Sequence, residues 1–442
     1  MTFHDMTTSA FAGQTATGCP TLVVISQVYA PDPAAVGQHI ADVSEAMAAR
    51  GWQVIVYTAR RGYDDPSRTY PGRELRNGVD VRRLPLSSLG KSSIAIRLVG
   101  GALFLLQATV AALLVRGVTA VLVSTSPPFA HVAGLTLRVL RSLPFVWWVM
   151  DVNPDQLVAS GRLTTTSALA RLLDAANRAA LRRAFAVIVL DRFMRQRMLA
   201  KGASDATLHT IRPWSHNVAA GSVDTDANPF RVHHALDKAF VVMYSGNHAM
   251  QHPLETLLAA AEQLENDESI RFVFVGGGAG KKVVEARIQA GARNILSLPF
   301  QPRESLATSL AAADVHVVSM ADDVVGIVHP CKIYGALAAG RPIMFFGPSQ
   351  SHVGDLLHGA AYGVVIQHGD VDGTIRAIRG FQSLTAAARS AIGQAARDDL
   401  ATMDARERPL EAVCDLICRT DTVRHAREAP PSPEQFFQGT AE

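Results

Sequence analysis

Residues 21–26 (TLVVIS) form a short apolar run, and residues 39–50 follow with Ile40, Val43, Met47 and Ala48 spaced for one face of a helix. Gly51 ends that helix, and residues 52–58 are apolar again. An apolar run without alternation reads as a strand buried on both faces, the habit of parallel sheets. Strand, helix and strand make a βαβ opening. Residues 118–124, 145–150 and 184–190 (AFAVIVL) extend the series of strands, and a helical 192–201 follows the last.

The pattern then restarts. Residues 221–238, with Asp224, Asp226, Asn228 and Pro229, read as a linker. Beyond it, strands are predicted over 239–244 (AFVVMY), 270–275 (IRFVFV), 294–298, 315–319 and 342–346, and helices over 254–264, 283–290, 305–312 and 331–339. The expected fold class is α/β, with two Rossmann-like doubly wound domains facing a cleft, over 21–220 and 239–400. Around them, residues 1–20 are expected to be a disordered N-terminus. A C-terminal helix over 401–427 packs back, and 428–442, with Pro430-Pro431-Ser432-Pro433, is a disordered tail. Ligands of doubly wound sheets bind beyond the carboxyl ends of the strands, so the cleft is the expected site.

Composition changes this picture in one respect. Of 442 residues 48% are hydrophobic but only 18% are charged, below the roughly 25% of ordinary soluble domains. The deficit is local: residues 98–150 hold three charged side chains, Arg116, Arg138 and Arg141, and no acid. Within that stretch 98–115 runs for 18 residues without a charge, the lower limit for spanning a bilayer. Three readings stand: a transmembrane helix, weakened by Gly100, Gly101, Gln107 and Thr109; a buried helix of the first domain; and a helix lying on a membrane surface. The preceding residues 60–97, with nine basic and four acidic side chains, favour a face towards anionic lipid over a merely solvated one. The net charge of +3 makes no case for nucleic acid. Residues 1–20 lack the charged and apolar regions of a secretory signal. Cys19, Cys331, Cys414 and Cys418 make no C-x-x-C and no zinc pattern, and buried thiols in a reducing cytosol are expected.

Several catalytic motifs are missing: Walker A, G-x-S-x-G and H-E-x-x-H. Asp224-Thr225-Asp226 and Asp370-Val371-Asp372 lie in expected loops, and no metal site is assigned to them. Two segments are more informative. In 242–264 a strand ends in Tyr244-Ser245-Gly246-Asn247, a polar loop carries His248 and His252, and Pro253 opens a helix. In 327–348 Pro330 opens a helix with Lys332 in its first turn, and Gly340-Arg341-Pro342 leads back into a strand. A lysine at a helix start opposes the macrodipole. A bound phosphate removes the conflict, because helix N-termini and ammonium groups both attract anions.

These segments carry a resemblance. Ser26-Gln27-Val28-Tyr29-Ala30-Pro31 with Gly37, Ser124-Thr125-Ser126-Pro127-Pro128 and Asp151-Val152-Asn153-Pro154-Asp155 belong to it. So do Tyr244-Ser245-Gly246-Asn247-His248, Phe274-Val275-Gly276-Gly277-Gly278 and Ala338-Ala339-Gly340-Arg341-Pro342. In order and spacing the chain resembles the retaining glycosyltransferases of family 4, of GT-B fold, over about 20–420. It looks closest to the bacterial branch that builds capsule, O-antigen and exopolysaccharide. It departs from the family in two places. The usual pair of glutamates before Ala-Ala-Gly is replaced by Ile327 and Gly335. The usual Arg and Lys after the first strand of the second domain are replaced by Asn247 and Gln251 or His252. Relatives of this branch often carry Pro-x-Lys, as Pro330-Cys331-Lys332 does here.

The resemblance implies sugar transfer from a nucleotide-sugar donor, UDP- or GDP-linked, to a lipid-linked saccharide acceptor, with retention of configuration and no metal or other cofactor. Gly37, Gly246, Asn247, His248, His252, Gly276, Gly277, His329, Pro330 and Lys332 would line the donor site. Asp151 and Lys332 would be catalytic, Asp151 towards the acceptor hydroxyl and Lys332 towards the leaving diphosphate. Asp151 could equally cap a turn before Pro154, and His248 and His329 could equally be structural. The expected setting is cytoplasmic, peripheral on the cytoplasmic face of the inner membrane, without nucleic acid. The alternatives are a GT-B nucleotide-sugar epimerase, a non-catalytic nucleotide-sugar-binding partner and, from Val275-Gly276-Gly277-Gly278, a nicotinamide oxidoreductase whose G-x-G-x-x-G is incomplete at Lys281.

Overall fold

The structure is a computed structural model that describes residues 19–32, 34–62, 67–87, 94–215 and 228–428. The first sheet contains β1 (Thr21–Ile25), β2 (Gln53–Ala59), β3 (Arg73–Arg76), β4 (Val79–Leu84), β5 (Val118–Val123), β6 (Phe145–Trp148), β7 (Ala186–Val189) and β8 (Leu208–Thr210). Their order is β3-β4-β2-β1-β5-β6-β7-β8. Every pairing is parallel except β3 with β4. The central strands β1, β5, β6 and β7 are buried along their whole length, which is why their sequences show no alternation.

The second sheet contains β9 (Phe240–Ser245), β10 (Ile270–Val275), β11 (Ile295–Leu298), β12 (Val315–Ser319), β13 (Ile343–Phe346) and β14 (Gly363–Ile366), in the order β11-β10-β9-β12-β13-β14. All its pairings are parallel. Each sheet therefore has one point where the strand order reverses, β1/β5 in the first and β9/β12 in the second. Loops leaving the two strands at such a point diverge and leave a crevice.

The C-terminal helices connect the halves. Helix Ala386–Glu407 packs on helix Lys332–Ala339 of the second domain. Helix Pro409–Glu428 then returns to the first domain, against β5 and helix Ala35–Ala49, with Val413, Cys414 and Ile417 buried. Arg50 pairs with Asp415 at 2.9 Å and Arg212 with Asp404 at 2.6 Å, so the return is fixed by ion pairs as well as by packing.

Three expectations about segments of the chain change. Part of the linker over 221–238 is helical: Asn228 caps helix Pro229–His233 by accepting from the Phe230 amide, and Arg231 is buried on Asp314. The basic stretch 60–97 contains a hairpin that pairs much of its own charge. Arg73 and Arg82 both reach Asp80, at 2.8 and 2.7 Å, and the buried Arg83 meets Glu74 at 2.7 Å. The uncharged stretch 98–115 lies within helix Ile94–Leu114, which packs Phe104, Ala108 and Ala112 into the first domain. That contradicts the transmembrane reading, and among the described residues no helix is long and apolar enough to cross a membrane. The expected tails, 1–20 and 428–442, lie almost entirely outside the described residues. Cys331 and Cys418 are half-buried, Cys414 is buried and Cys19 is exposed; none is in a disulfide.

Candidate active site

The second domain's switch point gathers most of the expected donor residues. Strand β9 runs into the loop 246–252, and β12 leads through residues 320–331 to helix Lys332–Ala339. Lys332 is the first residue of that helix, and its ammonium reaches back over the Tyr244 ring, 5.1 Å from the centroid. It has no hydrogen-bond partner among the described residues. Burial pushes its pKa down to about 8, because an ammonium loses hydration there without gaining a counter-ion.

Gly246 makes this possible. Its φ is +137°, and a Cβ there would lie 2.6 Å from Lys332 Cε. The glycine loop after β10 dovetails with the loop after β9. A Cβ on Gly276, whose φ is +128°, would lie 2.1 Å from the Gly246 carbonyl oxygen. The Gly277 carbonyl accepts from the His248 amide at 2.7 Å, and the Gly280 amide donates to the His248 carbonyl at 2.7 Å. Lys281, which occupies the third glycine position of a dinucleotide motif, donates to the carbonyls of Gly276 and Leu298 at 2.7 and 2.6 Å. It braces the loop from within. Asn247 is exposed, and its carbonyl accepts from the Tyr244 hydroxyl at 2.8 Å. His252 is half-buried, with Nδ1 on the Ser319 carbonyl at 2.6 Å, and burial drives its pKa well below the usual value. It is a neutral Nδ1–H tautomer whose Nε2 accepts.

His248 departs from expectation. It is fully buried, edge-on to Tyr244 at 4.8 Å, and its ring nitrogens make no well-formed hydrogen bond, though the Gly246 and Gly277 backbone lies near them. Burial lowers its pKa to about 4. Its backbone amide and carbonyl tie the two glycine-bearing loops together. Gly37 lies in the other domain, in the first turn of helix Ala35–Ala49. A Cβ there would sit 3.0 Å from the Tyr29 amide nitrogen, so the glycine lets the helix close on the β1 loop. That loop faces the one after β5: the Gln27 amide donates to the Ser126 carbonyl at 2.6 Å, and Ser124 Oγ to Ser26 Oγ at 3.0 Å.

Asp151 marks where the two domains meet. It forms an antiparallel bridge with Val328, and the Val152 amide donates to the Ile327 carbonyl at 2.8 Å. The two positions where the family carries glutamate thus hold a buried Ile327 and the helical Gly335. The Asp151 carboxylate is half-buried with no hydrogen-bond partner among the described residues, and burial raises its pKa to about 6. Burial, with the nearby Asp151 charge adding to it, pushes the Cys331 thiol up to about 12. Asp151 therefore lies close to the residue that precedes Lys332.

His329 is also corrected. Its ring is buried, with Nδ1 on Asp191 Oδ2 at 2.7 Å and Nε2 on the Tyr334 hydroxyl at 3.0 Å; that hydroxyl meets His352 Nε2 at 2.9 Å. One assignment satisfies all four groups: His352 Nε2–H donates to Tyr334, Tyr334 to His329 Nε2, and His329 Nδ1–H to Asp191. Burial lowers His352 to about 3. Burial is the largest single influence on Asp191 and opposes its ionisation, but the hydrogen bond from His329, the two neighbouring histidines and the Met194 amide together outweigh it and lower that carboxyl. No nitrogen of His329 remains for a sugar. The chain spans the domains beside a bidentate Arg192–Asp355 pair at 2.5 and 2.8 Å. Asp191, His329 and His352 are also a set whose ligand atoms lie within 4.8 Å of one another, close enough to hold a metal ion. In this structure His329 Nδ1 is engaged with Asp191, and His329 Nε2 and His352 Nε2 with the Tyr334 hydroxyl.

With this geometry in view, residues 34–214 match the family model of the glycosyl transferase 4-like domain, and residues 226–399 match that of glycosyl transferases group 1. The chain belongs to the two-domain glycosyltransferases of GT-B fold. It is 24% identical over 343 residues, 74% of this chain and 83% of the relative, to WcaI of Escherichia coli K12, described as a colanic acid biosynthesis glycosyl transferase. Its fold matches sucrose-phosphate synthase of Thermosynechococcus elongatus with a TM-score of 0.70 at 19% identity, covering 92% of this chain and 100% of that one. It matches Anabaena HepE in complex with UDP-glucose with a TM-score of 0.65 at 14% identity, covering 91% and 99%.

Proposed function

We propose that this glycosyltransferase moves a sugar from a UDP- or GDP-linked donor to a lipid-linked saccharide in bacterial surface polysaccharide synthesis, retaining the anomeric configuration and needing no metal ion. The observation that carries the donor half is Lys332: a half-buried ammonium without a counter-ion, at a helix start, on the switch point of the second sheet. A diphosphate supplies the missing charge. As the sugar–phosphate bond breaks, negative charge grows on the leaving diphosphate, and a fixed ammonium and helix N-terminus stabilise it more than the ground state. The sugar carbon passes through an oxocarbenium-like state. Asp151, with a pKa of about 6, is ionised at neutral pH and is suited to orient or deprotonate the acceptor hydroxyl.

The likeness to the colanic acid relative supports the polysaccharide setting, and the HepE complex with UDP-glucose supports a uridine nucleotide among the candidate donors. The acceptor, being lipid-linked, places the reaction in the cytoplasm at the cytoplasmic face of the inner membrane. The test is to incubate the protein with UDP- and GDP-sugars, with and without lipid-linked acceptor, in the presence of a chelator. Product configuration is read by NMR. Transfer with retention in chelator is the expected result. Inversion or loss of activity in chelator refutes the corresponding part. Donor conversion without acceptor points to the epimerase, and donor binding without conversion to the binding partner.

A further inference from the structure

The strand order from β4 and β1 through β5, β6 and β7 proceeds in one direction. Right-handed crossovers therefore put helices Ile94–Leu114, His131–Arg141 and Ala168–Arg183 on one face of the first sheet, and helix Ala35–Ala49 on the other. The three pack side by side. The inward side of Ile94–Leu114 is Phe104, Ala108 and Ala112, and Gly101 lets it approach the Pro127 loop, where a Cβ would be 3.2 Å from Pro127. Its outward side is apolar as well. Val99, Ala102, Leu106, Val110 and Leu114 recur every three or four residues and are exposed, Leu106 by 62% and Leu114 by 77%. Next to them Val139, Leu140 at 64% and Leu172 at 68% continue the surface. A helix packed on a sheet ordinarily turns a polar side outward. A contiguous apolar face implies something that covers it.

The charges say what. Helices Ile94–Leu114 and His131–Arg141 contain no acid. Arg116, Arg171, Arg182 and Arg183 are exposed on or directly after these helices, and Arg138 is half-buried. Arg141 is held at the foot of the stripe by the carbonyls of Leu113 and Val115, at 2.9 and 2.5 Å. The acid of the third helix, Asp174, is paired with Arg178 and Lys201. An apolar stripe rimmed by one sign of charge is the pattern of an interfacial element on anionic lipid. The arginines involved are not those of the hairpin at 73–84, which pair with Asp80 and Glu74.

We propose that this three-helix face seats on an anionic membrane surface, with the stripe from Val99 to Leu114 in the headgroup–acyl boundary and the arginines on lipid phosphates. The Gly101 end of the stripe touches the loop after β5, which opens on the cleft. The seat thus holds the first domain's side of the cleft near a membrane-held acceptor. The inference rests on the membrane setting proposed above and names the surface that meets it.

The test is flotation of the full chain with vesicles of phosphatidylglycerol and phosphatidylcholine, against phosphatidylcholine alone. The proteins are the wild type, the double variant Leu106→Glu/Leu114→Glu, and Val283→Glu, an exposed control position on the second domain. The wild type and Val283→Glu bind the anionic vesicles and the double variant binds about tenfold or more weakly. Its folding is checked by thermal shift with nucleotide sugar. Equal binding by the double variant, or no binding of the wild type to anionic vesicles, overturns the proposal. A wild-type dimer that the double substitution dissociates, without vesicle binding, assigns the face to a second copy and also overturns it. Absence of a nucleotide-sugar shift in the wild type refutes the donor reading and leaves the vesicle result standing by itself.

Discussion

Replacing Lys332 with methionine should stabilise the protein while crippling its chemistry. A fall from the usual 10.5 to about 8 corresponds to about 3 kcal/mol against the charged form in the folded state. The ammonium recovers about 1 kcal/mol from the Tyr244 face, 5.1 Å away. About 2 kcal/mol of net cost remains at neutral pH, where folded and unfolded lysine are both protonated. Because the folded pKa lies below the unfolded one, the unfolded chain binds more protons between pH 8 and 10.5. Stability therefore rises with pH across that window, and the cost fades there. Methionine has a similar length, no charge, and an apolar stem that packs on the same ring. Thermal unfolding without nucleotide should then give Lys332→Met a Tm higher by about 4–8 °C at pH 7, falling to about half of that at pH 9.5 and vanishing only above the unfolded pKa of 10.5. A variant no more stable than the wild type at pH 7, or equally more stable at both pH values, would refute the claim that an unpaired, desolvated ammonium lies in this crevice.

Three further outcomes follow from the same geometry. The carboxyl of Asp151, raised to about 6 by burial, predicts that kcat/KM of the wild type falls as pH drops through about 6, where the group becomes neutral; Asp151→Asn should lose at least about tenfold in turnover and flatten that limb, and wild-type rates would return Asp151 to a structural role at the domain bridge. Gly246→Ala puts a Cβ 2.6 Å from Lys332 Cε at a φ of +137°, so turnover should drop about tenfold or more with the fold retained; unchanged turnover would mean that the lysine's position does not matter. Asp191→Asn keeps one acceptor for the Met194 amide but turns an amide donor towards His329 Nδ1–H, 2.7 Å away. Breaking that buried chain should cost about 2–3 kcal/mol, read as a lower Tm, and an unchanged Tm would mean the chain does not hold the domains together.

Local pattern revealed most of the fold. The strands Ile270–Val275 and Val315–Ser319 are bounded in the structure as the apolar runs bound them, and the helix at Lys332–Ala339 begins one residue after the predicted start. These elements are legible because a doubly buried strand is apolar throughout and because Pro330 and Gly340 punctuate the helix. The hairpin of β3 and β4 was hidden because its charges pair across strands, Arg73 and Arg82 on Asp80, so its sequence looks like a solvated basic stretch. At the site, Lys332, Gly246 and Gly276 were visible from spacing around strand ends, and the structure brings them together. The setting of His329 was not legible because its partners lie far off in sequence, Asp191 being 138 positions away, and that of His248 because complete burial, with no distant partner, defines it. Asp191 does carry a local sign, as the residue between β7 and a helix whose Met194 amide it caps, but nothing local joins it to Tyr334 or His352.

The central claim is that a nucleotide-sugar diphosphate meets Lys332 at the second domain's switch point. Equilibrium binding of UDP and GDP at pH 7, by calorimetry on the wild type and on Lys332→Met, tests it most directly. The account predicts that one nucleotide binds the wild type, and that Lys332→Met binds it at least about tenfold more weakly, although the variant is the more stable protein. Equal affinities for the two proteins would contradict it.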